Sequence, residues 1–175
     1  MSHYIPVLLG TAREGRNSEK VAHLVLEELG KCPSVETELV DVREYLFSKT
    51  ARFAEEGNSA ATKWHDVALR AHAFVWVVPE YNRGYPGEFK LMLDALYSEY
   101  AKKPVAFVGV SDGALGGARV VEQLKLISLG LRMVPVPDAA YFPLVCTLFE
   151  GTKLIDDSYR QKVNRVLDSL LSYLA

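Results

Sequence analysis

Cysteine is scarce in this chain. Cys32 and Cys146 stand far apart, with no CxxC spacing, so neither a disulfide framework nor a zinc site is indicated. The four histidines, His3, His23, His65 and His72, show no metal-ligand spacing. No apolar run approaches the ~20 residues of a membrane span. The start, Met1-Ser2-His3-Tyr4, lacks the basic region and apolar stretch of a signal peptide. Together these features predict a cytoplasmic protein without a membrane partner. Excess charge is missing too. A net charge of -2 carries no nucleic-acid footprint. Internal repeats, low-complexity segments and linkers are also lacking.

What remains is ordinary for a globular chain: 175 residues, 49% apolar and 24% charged. That length predicts one domain, residues 1–175, with a sizeable core. Short apolar runs at 4–9, 35–42, 73–78, 104–110 and 132–136 read as strands. Pro6 is awkward in the first, because proline donates no ladder hydrogen bond. Helical patterns follow the strands. The first carries Val21, Ala22, Val25, Leu26 and Leu29, with Ser18 as N-cap and Gly30 as its stop. Glu55-Glu56-Gly57-Asn58 is a break before a helix over 59–70. The third helix reaches from Phe89 to about Tyr100, with Lys90 and Asp94 paired four apart. A fourth ends at Gly130, and the last starts near Asp156. Residues 137–155 lack periodicity yet keep Tyr141, Phe142, Leu144, Val145, Leu148 and Phe149, as a subunit interface or site wall would.

Strand and helix alternating five times predict a parallel sheet covered on both faces: an α/β, three-layer, doubly wound, five-stranded architecture. The expected order is the flavodoxin-like 2-1-3-4-5, whose switch point lies between strands one and three. Three loops leave carboxyl ends of neighbouring strands there. Gly10-Thr11-Ala12-Arg13-Glu14-Gly15-Arg16-Asn17-Ser18 feeds a helix N-terminus. Its N–H groups, hydroxyls and two arginines suit a phosphate. It is neither a GxGxxG fingerprint nor a Walker loop. The central loop, Pro79-Glu80-Tyr81-Asn82-Arg83-Gly84-Tyr85-Pro86-Gly87, offers main-chain groups, an amide and two rings to a planar ligand. Ser111 to Gly117 holds three glycines in five residues, which permits close backbone approach. Taken alone, each loop is equally an ordinary connection; their convergence is the specific signal. A phosphate at one end and a hydrogen-bonding ring at the other describe a mononucleotide, and FMN occupies this switch point in flavodoxin.

The same residues carry a resemblance. The first-loop run Gly10-Thr11-Ala12-Arg13, the run Pro79-Glu80-Tyr81-Asn82 with Pro86-Gly87, Lys90 and Asp94, and the 111–117 loop resemble the NAD(P)H-dependent FMN reductases, which include quinone, azo-dye and chromate reductases. The likeness spans about residues 4–136. It implies that Thr11 and Arg13 hold the FMN phosphate, that the main chain of Pro79, Glu80, Tyr81 and Asn82 lies along the isoalloxazine, and that Ser111, Asp112 and Gly113 close on the ring. With Arg16, Asn17 and Ser18 of the helix start, these form the expected cofactor-binding set. The chain departs from the family pattern at Arg16, where many members have serine, and at Arg83-Gly84-Tyr85. The implied activity is hydride transfer from NAD(P)H through bound FMN to a quinone, another small acceptor or free flavin. No protein nucleophile, metal or catalytic side chain is required. Tyr81 and Tyr85 read either as walls of the acceptor pocket or as simple packing, and Glu80 is not expected to act as a base. The resemblance and the apolar 137–155 segment predict a homodimer or dimer of dimers. Two other classes share the fold: a flavodoxin-type electron carrier, disfavoured by Arg13, Arg16 and the small net charge, and an FMN-sensing interaction protein.

Overall fold

The computed structural model describes residues 2–46 and 59–174, except the side chain of Ser59. The expected break at 55–58 lies outside the described residues.

Among the described residues, nine strands and five α-helices follow one another along the chain. The strands are β1 (His3–Tyr4), β2 (Val7–Leu9), β3 (Val35–Glu36), β4 (Leu39–Asp41), β5 (Phe74–Pro79), β6 (Pro104–Val110), β7 (Val134–Phe142), β8 (Phe149–Glu150) and β9 (Lys153–Leu154). The helices are α1 (Ser18–Leu29), α2 (Ser59–Arg70), α3 (Gly87–Asp94), α4 (Ala118–Gly130) and α5 (Ser158–Ser172). The main sheet is parallel, in the order β4-β2-β5-β6-β7. The expected first strand is split in two around Pro6, and the second is split between Glu36 and Leu39. Their leading halves, β1 and β3, pair separately. The backbone runs on through the break, with Ile5 N–H donating to Glu36 O and Val7 N–H to Glu38 O.

Side chains alternate across the sheet with the period of two that strands impose. Leu8, Phe74, Trp76, Val78, Val105 and Phe107 face one way, under α2, α3 and α4. Leu9, Val75, Val77, Ala106, Val108 and Val110 face the other way, under α1 and α5. Both faces are therefore dry, which is why the central strands read as unbroken apolar runs. Trp64 is fully buried, and its indole N–H is shared by Met92 O and the Tyr100 hydroxyl, both at 3.1 Å.

Three expectations change. The fifth strand is longer than 132–136 and occupies nine residues of β7. Pro135 and Pro137 hid its continuation; β7 is at the edge of the sheet, where prolines are tolerated. The third helix stops at Asp94, and residues 98–100 form a separate turn of 3₁₀ helix. The apolar 137–155 segment is largely internal: Phe142, Val145, Leu148 and Phe149 pack into the core beneath α1 and α5. Leu144 and, at the segment's end, Ile155 are half exposed. The segment therefore gives little support to a subunit interface.

Candidate functional site

At the carboxyl ends of β2, β5 and β6 the three loops meet around one cleft of about 440 Å³. That size suits a small-molecule ligand. Arg13, Arg16, Asn17 and Ser18 line one end. Pro79, Glu80, Tyr81, Asn82, Ser111, Asp112 and Gly113 line the rest. Of the expected cofactor-binding set, only Thr11 does not line it.

The first loop is fixed from below. Gly10 has no room for a side chain: a Cβ would sit 2.9 Å from Val78 Cγ2 and 3.1 Å from the Phe89 ring. Thr11 is fully buried behind the wall. Its hydroxyl donates to Glu88 Oε1 at 3.1 Å, and Ala12 N–H donates to the same oxygen at 2.8 Å. The Tyr81 hydroxyl then donates to Thr11 Oγ1, also at 3.1 Å. Thr11 thus ties three elements together and presents no group to the cleft.

Arg13 remains exposed, with its guanidinium 3.7 Å from the centre of the Tyr81 ring. Arg16 is different. It is buried and bidentate to Asp41 at the end of β4, and it also donates to Thr11 O. Burial raises the Asp41 carboxyl pKa, but hydrogen bonds from Arg16 and Arg43 outweigh it and hold the carboxyl well below its usual range. The expected phosphate cation is therefore mostly committed to holding its own loop. Only its Nε faces no partner among the described residues.

Asn17, not Ser18, takes the N-cap position of α1, with no side-chain cap bond. Ser18 begins the helix and is turned inward, and its buried Oγ has no hydrogen-bond partner among the described residues. An anion accepting from Ser18 Oγ, Arg16 Nε and the first N–H groups of α1 would satisfy donors that protein groups leave unmet. The residues present fit a phosphate.

In the second loop, Tyr81 and Gly84 exchange two backbone hydrogen bonds of 2.9 Å across a tight turn. Its central residues, Asn82 and Arg83, both have positive φ (50° and 69°), a type I′ geometry. Asn tolerates that region; Arg83 is held there by Gln123 Nε2, which donates to its carbonyl at 2.6 Å. Tyr85 packs against the core beneath α2, α3 and α4 and does not line the cleft, so of its two readings the packing one holds. Glu80 is 4% exposed at its side chain, and Arg119 Nε donates to its Oε1 at 2.6 Å. Its other carboxylate oxygen has no partner among the described residues.

The third loop is braced by β7: Ser111 N–H donates to Phe142 O at 3.1 Å. Two of its glycines do not serve a ligand. Gly116 and Gly117 have positive φ, and a Cβ would lie 2.7 Å from Pro143 N or 2.6 Å from Val110 N. They let this loop fold back on the chain. Only Gly113 stays open towards the cleft.

The expected cofactor-binding set left out Gly15, Arg83, Val110 and Arg119, which also line the cleft, and Val145, from the apolar segment expected as an interface or site wall, lines it too. Arg119 left one trace. It sits in the first turn of α4, where the helix dipole disfavours a cation, and so implies an acidic partner.

The family model for NADPH-dependent FMN reductase matches residues 4–144. The chain belongs to the NADPH-dependent FMN reductase family. It is therefore an oxidoreductase with FMN as cofactor and NAD(P)H as co-substrate. Among its relatives is a quinone reductase of Pseudomonas putida, 28% identical over 97% of this chain and 94% of that protein. An NAD(P)H-dependent FMN reductase of Schizosaccharomyces pombe is 30% identical over 79% and 73%. In fold, the chain resembles the flavoenzyme NAD(P)H:(acceptor) oxidoreductase FerB of Paracoccus denitrificans. The TM-score is 0.75 at 20% identity, covering 98% of each chain. Among the described residues, no helix is long and apolar enough to cross a membrane.

Proposed function

We propose that this chain, acting as one domain over 1–175, passes hydride equivalents from NAD(P)H to quinone-type acceptors at the cleft between its three loops. Bound FMN would accept the hydride and hand two electrons on. Ser18 Oγ, Arg16 Nε, the N–H groups of α1 and the exposed Arg13 would hold its phosphate. The main chain of 79–82 would carry one face of the ring, and Ser111 to Gly113 its edge. Glu80, paired with Arg119, positions that main chain and moves no proton. The observation that carries this reading is the set of unmet buried donors at the helix end of a cleft whose other end is lined by Tyr81 and Asn82. We place the protein in the cytoplasm as a homodimer or dimer of dimers, on the family resemblance.

The test is spectroscopic and kinetic. FMN added to the protein should give a bound flavin spectrum, and NADPH should bleach it without any acceptor. Steady-state NAD(P)H oxidation with a quinone should follow. Binding without turnover would point instead to an electron carrier or a flavin sensor.

A further inference from the structure

The charged side chains lining the cleft are Arg13, Arg16, Arg83 and Arg119, with Glu80 and Asp112. Most of the cations are committed. Arg16 is held by Asp41, and Arg119 by Glu80. Arg13 lies over the Tyr81 ring and is assigned to the FMN phosphate. Arg83 is different. Its side chain is exposed and makes no ion pair, hydrogen bond or ring contact among the described residues. Asp112, on the third loop, is likewise exposed and unpaired among them.

Arg83 is also an uncommon residue for its place. It is the third residue of the Tyr81–Gly84 turn, at φ 69°. Glycine adopts that conformation freely, whereas an arginine is strained there. Gln123 Nε2, in the second turn of α4, donates to its carbonyl at 2.6 Å and holds the turn in place. Arg119 lies one helical turn earlier on α4. The second-loop turn is thus fastened on the α4 side of the sheet, and the phosphate donors belong to α1 on the other side.

A free, fork-shaped cation at the mouth of a redox cleft selects for charge on what enters. We infer that Arg83 is a specificity-determining residue for the electron acceptor. It favours quinones that carry a carboxylate or sulfonate beside the reducible ring over neutral ones. The inference rests on the reductase reading and deepens it. The anionic group takes no part in the reduction: the quinone gains two electrons and two protons and keeps that group. Asp112 repels an anion on the third-loop side, so the charged group is directed to the second loop.

The experiment compares FMN-loaded wild type with Arg83→Gly and Arg83→Lys. Glycine suits this turn, so Arg83→Gly removes the cation without disturbing the loop. Each protein reduces 1,4-naphthoquinone-2-sulfonate and, separately, the neutral menadione. The ratio of the two kcat/KM values is compared between proteins, so the intrinsic reactivities of the quinones cancel. Arg83→Gly should lower the sulfonate-to-menadione ratio about tenfold, the loss of one charge-assisted contact, and Arg83→Lys should recover part of it. Added salt should shrink the wild-type ratio and change the Arg83→Gly ratio less. Naphthalene-2-sulfonate, which the flavin does not reduce, is the binding probe. Calorimetry should show it binding the wild type, competing with menadione, and binding Arg83→Gly about tenfold more weakly. Either an unchanged ratio or undiminished probe binding in Arg83→Gly would overturn the inference. So would a loss confined to NADPH bleaching of the flavin in rapid mixing, which would make Arg83 a contact of the hydride donor. If neither NADPH nor NADH bleaches the wild type, the reductase reading fails instead, and the probe titration alone still shows whether Arg83 binds an aromatic anion.

Discussion

Asp41 offers the sharpest test of how the first loop is held. Its carboxylate is the bidentate partner of Arg16, whose side chain is 1% exposed, and Arg43 covers the other side. Asp41→Ala would leave the Arg16 guanidinium buried with only Thr11 O and, at 3.5 Å, the half-exposed Glu19 carboxylate to receive it. Removing one partner of a buried pair costs about 3–5 kcal/mol. For a chain of this size that lowers the melting temperature by roughly 6–20 °C. Asp41→Asn keeps an acceptor and should lose less.

The pH dependence follows from the sign of the shift. The folded carboxyl titrates well below its ordinary range. The pair therefore contributes stability above the unfolded value of about 4, and that stability is lost as pH falls through the folded value. Thermal melts of the FMN-free protein should show wild type well above Asp41→Asn at pH 7, with the gap closing below about pH 4. If Asp41→Ala melted within about 2 °C of wild type, Arg16 would not depend on Asp41, and its assignment as loop anchor would be wrong.

Three further outcomes are expected. Arg13→Ala should weaken FMN binding about ten- to a hundredfold in a fluorescence titration, because a charge-assisted phosphate contact is lost; unchanged affinity would remove Arg13 from the phosphate site. Arg119→Ala should destabilise the protein by about 1–3 kcal/mol by stranding the Glu80 carboxylate, and Glu80→Gln in the same chain should recover part of it in a double-mutant cycle. If NAD(P)H and quinone share one ring face in turn, initial-rate plots should be parallel, and His65→Ala and His72→Ala should keep nearly the full rate; intersecting plots would place both substrates in the site together.

The fold was legible because both faces of the sheet are covered. Strands such as 104–110 show as continuous apolar runs for that reason, and the helices between them keep one apolar stripe each. The edge was less legible. At β7 the prolines that read as a stop are compatible with a strand that pairs on one side only. The site was legible as three loops, since glycine, proline and polar residues mark where strands end. Which residue of a loop faces inward was not. Thr11 and Arg16 were expected as phosphate ligands because of their chemistry, but their partners, Glu88 and Asp41, come from α3 and β4. Local sequence holds no record of such distant pairs. The glycines at 116 and 117 show the same limit: the sequence signals a close approach and does not say to what.

The network around Thr11 decides how much of the site exists before a ligand arrives. A threonine hydroxyl donates once, and here it donates to Glu88 Oε1. The Tyr81 hydroxyl must therefore donate to Thr11. Glu88 sits in the first turn of α3, where the helix dipole stabilises its charge. One end of the first loop is thus fastened to α3, and the other to β4 through Arg16. Tyr81 joins that loop to the one expected beneath the flavin ring. Ordering costs met during folding are not paid again on binding, so the cleft keeps more of its contact energy as affinity. Thr11→Val removes the hydroxyl at nearly constant volume. It leaves Glu88 short of one donor and the Tyr81 hydroxyl without its acceptor, at a cost of about 1–3 kcal/mol in stability. Because Thr11 does not line the cleft, any loss of FMN affinity in Thr11→Val must come through the loosened loops, and Thr11→Ser should restore both quantities. Thr11→Val with wild-type stability but sharply reduced FMN binding would instead show Thr11 touching the phosphate itself.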